Sequence, residues 1–118
     1  MKIIITAKGE ALNSEVDPRF GRAVKFILYD EETGDSRVVD NAQNLNAAQG
    51  AGIQAAQTVA GLGAEVVITG HCGPKAFRVF KTAGIRIFSG ATGTVSEAIA
   101  LFKEGQLKEL MSPDAEGH

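Results

Sequence analysis

The opening residues Lys2 to Ala7 set Ile3, Ile4 and Ile5 in one uninterrupted apolar run. A β-branched run without polar alternation predicts a strand covered on both faces. Val24 to Asp30 (VKFILYD) and Arg37 to Asn41 (RVVDN) predict two strands of a hairpin. Between them Glu31-Glu32-Thr33-Gly34-Asp35 supplies the turn, with Gly34 able to take a positive φ. From Ala47 to Leu62 the period changes: Ile53, Ala56, Val59 and Ala60 fall on one helical face, and Gly61 and Gly63 end it. Gly50 and Gly52 lower the helix propensity there and suit a close backbone approach near the helix start.

Ala64 to Thr69 (AEVVIT) predicts a second buried strand, which runs into Gly70-His71-Cys72-Gly73. Pro74 suits the first turn of a helix reaching Ala83, and Gly84 its stop. Ile85 to Phe88 is a short strand. Thr94 to Glu104 is a last helix, with Thr94 and Glu97 spaced as a capping box, Val95, Ile99 and Phe102 as its inward stripe, and Gly105 closing it. The order strand, loop, strand, strand, helix, strand, helix, strand, helix predicts one mixed α/β sheet. Its second half pairs in parallel, the hairpin is antiparallel, and helices cover the faces.

The 118 residues fill one core, so residues 1–111 read as a single domain. Ser112 to His118 carries no large apolar residue and reads as a mobile tail. No apolar run approaches the ~20 residues of a membrane span. The Met1 to Ile5 start is too short and too quickly polar for a signal peptide. With 12 basic and 14 acidic side chains, neither nucleic acid nor a membrane surface is an expected partner. A single cysteine, Cys72, excludes an internal disulfide and fits a reducing, cytoplasmic compartment. This chain alone also lacks the thiols for a four-thiolate iron–sulfur site.

Chemistry is expected beyond the carboxyl ends of the parallel strands, where ligands collect in open α/β sheets. If the first and fourth strands are neighbours, two segments meet there. One is the unpatterned stretch Lys8 to Ala23, too long for a mere connection; the other is Gly70-His71-Cys72-Gly73. A glycine-rich loop entering a helix offers backbone N–H groups and the positive end of the helix dipole. Arg19 and Arg22 from the first loop and Lys75 from the helix start add positive charge. The candidate set is Arg19, Gly21, Arg22, Gly70, His71 and Gly73 around an anion, with Cys72 as a soft metal ligand whose thiol the helix N-terminus would make more thiolate-like. Phe20 reads as the anchor that packs this loop onto the sheet.

One alternative is an enzyme. Cys72 and Arg78 are separated by five residues, the spacing of the cysteine-phosphatase loop. Against it, Pro74 removes a cradle N–H donor, and Val79 stands where a Ser or Thr would assist the leaving thiolate. Neither a Walker loop, a dinucleotide fingerprint nor a Gly-x-Ser-x-Gly elbow is present. A regulatory domain that binds a partner protein and no cofactor is the other alternative.

The segments Ser14-Glu15-Val16-Asp17-Pro18-Arg19-Phe20-Gly21-Arg22-Ala23 and Thr69-Gly70-His71-Cys72-Gly73-Pro74-Lys75-Ala76 resemble the dinitrogenase iron–molybdenum cofactor biosynthesis family, which includes the NifX and NafY nitrogenase accessory factors. The likeness runs from about Met1 to Leu110 and takes in the Ala-Gly-Ile triplets at Ala51 and Ala83. It implies a ribonuclease H-like fold, a mixed five-stranded sheet flanked by helices, without the acidic cluster of true nucleases. It also implies a non-catalytic protein that binds iron–molybdenum cofactor or a related molybdenum- or iron–sulfur cluster and exchanges it with donor and acceptor proteins of cluster assembly. Where nitrogenase-associated members carry His-Phe-Gly-Arg, this chain carries Arg19-Phe20-Gly21-Arg22, an arginine in place of the imidazole.

Overall fold

The computed structural model describes residues 1–41 and 51–112. Nine elements follow one another: β1 (Lys2–Ala7), β2 (Lys25–Asp30), β3 (Ser36–Asp40), α1 (Ala51–Gly61), β4 (Val66–Ile68), α2 (Pro74–Ala83), β5 (Arg86–Ser89), α3 (Val95–Lys103) and β6 (Lys108–Glu109). The strands form one sheet in the order β3-β2-β1-β4-β5-β6. β1, β4 and β5 run parallel, and β2, β3 and β6 join antiparallel.

The expected α/β architecture is therefore present, with one correction: the sheet holds six strands, not five. The sixth is two residues long. It is held by pairing with Phe88 and Ser89 and by the Leu110 amide donating to Ile87 O at 2.8 Å. So short a strand has no period that a sequence can display. The helix predicted from Ala47 begins among the described residues at Ala51, and Ala47 to Gly50 lie outside them.

Each face of the sheet buries its own apolar set, because alternate residues of a strand point to opposite sides. Ile4, Phe26, Val67 and Ile87 pack with Ala55, Ala56 and Val59 of α1 and with Ala76 and Phe80 of α2. Ile3, Ile5, Ile27 and Val66 pack with Val95, Ala98 and Ile99 of α3 on the other face. The result is three layers, with β1 and β4 at the centre, which is why their apolar runs are continuous. Gly34 adopts the positive φ expected of it, 79°, and Gly84, the expected stop, caps α2 with a φ of 75°. The capping box forms as predicted: Thr94 Oγ1 accepts the Glu97 amide at 3.2 Å, and Glu97 Oε1 accepts the Thr94 amide at 3.0 Å.

Candidate functional site

β1 and β4 are in register, Ile5 beside Ile68, so the residues that follow them emerge side by side. Thr6 and Thr69 stand next in line, both buried. Their hydroxyls share a hydrogen bond at 3.0 Å, and Thr6 Oγ1 donates to Asp17 O at 2.7 Å. The long loop is thus stitched to the strand it has just left. The Asp17 amide donates to Thr6 O and the Lys8 amide to Glu15 O, each at 2.9 Å. Further along, the Val95 and Ser96 amides of α3 donate to Ser14 O and Leu12 O, so the loop's carbonyls satisfy the first turn of that helix.

The loop then reaches the second segment. The His71 amide donates to Pro18 O at 2.7 Å and the Phe20 amide to His71 O at 3.3 Å, a parallel bridge between Arg19 and His71. Gly70 permits it: a Cβ there would lie 2.7 Å from both Cα and O of Pro18. Paired residues of a parallel bridge project to the same side, and their neighbours to the other. Arg19 and His71 accordingly stand together and exposed, while Phe20 and Cys72 both turn inward. Phe20 is the anchor expected of it, its ring stacked 5.5 Å from Phe26 and edge-on to Phe80 at 4.9 Å. Burying such a ring contributes roughly 1.5–3 kcal/mol, and each aromatic pair about 0.5–1.5 kcal/mol more.

The same parity turns Cys72, expected as a soft metal ligand, inward. Its side chain is fully buried in the core with Phe20, Ala76 and Phe80 and does not face the exposed rim. Among the described residues no group of three His, Cys, Asp or Glu side chains is disposed to hold a metal ion. Two features weigh against the phosphatase alternative. The thiol is inside, and the residues between it and Arg78 are not a cradle but the first turn of α2, where the Phe77 amide donates to Gly73 O at 3.0 Å.

The remaining predicted residues lie on these same two segments. Gly21 and Arg22 occupy the centre of a turn closed by the Ala23 amide donating to Phe20 O at 3.3 Å, with Arg22 exposed. Gly73 is the N-cap of α2, has no side chain to cap it, and is followed by Pro74. Lys75 is exposed in that first turn. Arg19, Arg22, His71 and Lys75 are thus exposed on the segments that follow β1 and β4 and on the first turn of α2, the basic rim of this end of the sheet.

Sequence reasoning missed Asp17. Its side chain is only 4% exposed, and Oδ1 accepts the Arg19 amide at 3.0 Å and lies 3.9 Å from Arg19 Nε. It missed Thr6 and Thr69 as well, although a signal was present. Ile3-Ile4-Ile5-Thr6 and Val66-Val67-Ile68-Thr69 are the same pattern, an apolar run of three β-branched residues ending in threonine.

The fold is that of a small α/β domain with exposed Arg19, Arg22, His71 and Lys75 where its parallel strands end. The chain belongs to the dinitrogenase iron–molybdenum cofactor family, whose model matches residues 1–105. It is 34% identical over 100 residues to an uncharacterised protein of Methanocaldococcus jannaschii, covering 83% of this chain and 85% of that one. Among solved structures it is similar to the apo form of the orange protein of Desulfovibrio gigas, with 41% identity, a TM-score of 0.94, and 97% and 96% of the two chains covered. A NifB-like protein from Thermotoga, solved by NMR, matches at 39% identity and a TM-score of 0.85, with 98% of each chain covered. No described helix is long and apolar enough to cross a membrane.

Proposed function

We propose that this chain binds an anionic metal–sulfur cofactor, of iron–molybdenum type or a related molybdenum- or iron–sulfur cluster, and exchanges it with donor and acceptor proteins in the cytoplasm without itself catalysing a reaction. The observation that carries the reading is the Arg19–His71 bridge. It pairs two exposed residues, Arg19 and His71, on backbone that cannot drift apart without unseating Phe20. The family relationship supports the class of ligand. The strand order β3-β2-β1-β4-β5, with β2 antiparallel, supports reading the fold as ribonuclease H-like.

The donor set suits an anion held by charge and hydrogen bonds better than a metal caged by side chains. Arg19, Arg22 and Lys75 bring positive charge, and Gly73, with open space on its side-chain face, leaves the backbone at the start of α2 approachable. Charge-assisted hydrogen bonds from arginine and backbone N–H groups are about twice as strong as neutral ones. His71 is the exposed side chain of the set able to meet a metal directly. Cys72 we place outside the contact set, as a small apolar filler behind the rim.

The test is anaerobic reconstitution with iron, molybdate and sulfide, followed by gel filtration, metal analysis and visible absorption. Wild type is expected to take up coloured cluster stoichiometrically, Arg19→Ala and His71→Ala to lose at least tenfold in affinity, and Cys72→Ala to bind as wild type does. Uptake that survives Arg19→Ala but fails in Cys72→Ala would overturn the rim and restore the thiolate ligand.

A further inference from the structure

Beyond the rim, the distribution of charge along α2 is one-sided. Lys75, Arg78 and Lys81 recur every third residue and are all exposed, and neither α1 nor α2 contains an acidic residue. This happens in a chain whose net charge is −2, so the stripe is not part of a generally basic surface. At 1.5 Å per residue the three cations span roughly 9 Å, the length of about two turns of a facing helix. Lys75 and Arg78 line an open groove of about 430 Å3 between α1 and α2, together among the described residues with Ile53, Val79, Thr82 and Ala83, while Lys81 borders the neighbouring hollow at Gly84 and Ile85.

An apolar floor with cations along one wall is the surface an amphipathic acidic segment of a protein would recognise. Such a segment places apolar side chains on Ile53, Val79 and Ala83 and carboxylates on Lys75 and Arg78, with Lys81 next along the stripe outside the groove lining. A phosphate polymer gains nothing from the apolar floor, and three cations are few for its backbone. Position adds a further reason. Lys75 belongs both to the stripe and to the first turn of α2, so a segment lying along α2 ends at the rim. Complementary charge of this kind mainly orients a partner and speeds its encounter.

We infer that the α1–α2 groove and the Lys75–Arg78–Lys81 stripe are the docking surface for an acidic amphipathic segment of a partner protein, which they bring alongside the rim. That the partner exchanges cargo rests on the proposed function; the surface itself does not.

The experiment uses the full chain and a fluorescent 15-residue helical peptide built of glutamate and leucine. Controls are the same peptide with glutamine for glutamate and a 12-nucleotide single-stranded DNA. Anisotropy titrations and amide chemical shifts are followed for wild type, for the double variant Arg78→Gln with Lys81→Gln, and for Arg78→Glu with Lys81→Glu. Expected is binding of the acidic peptide alone, with shifts centred on Ile53, Val79 and Thr82. Each neutralised charge should weaken it about threefold, and reversal should weaken it more. No binding at millimolar peptide, binding indifferent to both double variants, or tighter binding of the DNA would overturn the inference. Cluster uptake by the reversed variant separates the two readings. If it matches wild type while peptide binding is lost, both stand. If no variant takes up cluster yet the peptide binds through Arg78, the cargo reading fails alone.

Discussion

Gly70→Ala is the substitution that most directly tests the joint between the two loops. The added Cβ would sit 2.7 Å from Pro18 Cα and 2.7 Å from Pro18 O, both backbone atoms that no rotamer change can remove. Ordinary contact begins near 3.4 Å, so the segments must part by about 0.7 Å, the difference between those two distances. That stretches the His71 N–H to Pro18 O bond from 2.7 Å to beyond 3 Å and breaks the Phe20 N–H to His71 O bond, already 3.3 Å. Overpacking of this kind costs about 1–3 kcal/mol, and each lost hydrogen bond about 0.5–1.5 kcal/mol. The expected loss is about 3 kcal/mol, or roughly 10–15 °C in Tm for a domain of this size.

Urea unfolding at fixed pH reads the change in midpoint, and hydrogen exchange at the His71 amide reads the joint itself. Gly61→Ala is the control: it adds the same methyl group at the end of α1 where nothing lies within 4 Å, and its effect should be neutral or stabilising by up to about 0.5–1 kcal/mol. A Gly70→Ala protein within about 0.5 kcal/mol of wild type, with His71 still protected, would refute the claim that the loops are held by close backbone packing.

Three further outcomes are expected. Phe20→Ala, which empties the space between Phe26 and Phe80, should lose about 3–5 kcal/mol in denaturant unfolding, whereas Phe20→Leu should lose less than half of that. Gly73→Ser supplies α2 with the missing cap and should gain a few tenths of a kcal/mol in thermal stability while weakening cluster uptake; if uptake is unchanged, the ligand does not approach that backbone. Glu109 is held below the usual carboxylate range by its hydrogen bonds from Arg86, at 2.7 and 3.2 Å. A depressed folded-state pKa stabilises above the ordinary carboxylate pKa and ceases to as pH falls through the lowered value. Glu109→Gln should therefore be less stable than wild type at pH 7 and equal to it near pH 2, and a gap that persists in acid would exclude the ion pair as its cause.

What the sequence made legible was local. The Pro74 start and Gly84 stop of α2, the Thr94–Glu97 box, and the β-branched runs of β1 and β4 each depend on residues a few positions apart, and each stands where expected. What escaped depends on pairing across the chain. β6 exists only because β5 lies beside it, and its Glu109 meets Arg86 from 23 positions away. Leu12 and Ser14 read as featureless loop, yet their carbonyls receive the first amides of a helix some 80 residues on. Asp17 carries no motif of its own, and only the folded turn shows that its carboxylate supports the Arg19 backbone. Cys72 shows the limit most clearly. Its position before a helix was readable, but its direction was not, because that is set by a bridge to Arg19.

That bridge also decides how stability and binding are coupled. In each of the two extended segments one residue points out and the next points in: Arg19 and then Phe20, His71 and then Cys72. The two hydrogen bonds that seat Phe20 in the core are the same two that hold Arg19 and His71 side by side outside it. Substitutions fall into two kinds as a result. Those that part the backbones, such as Gly70→Ala, must lower stability and cluster uptake together, since neither can change without the other. Those that trim an exposed side chain, such as Lys75→Ala, must lower uptake while leaving the unfolding midpoint within about 0.5 kcal/mol of wild type. A variant that lost the midpoint and kept full affinity would show that the ligand is held elsewhere than at this rim.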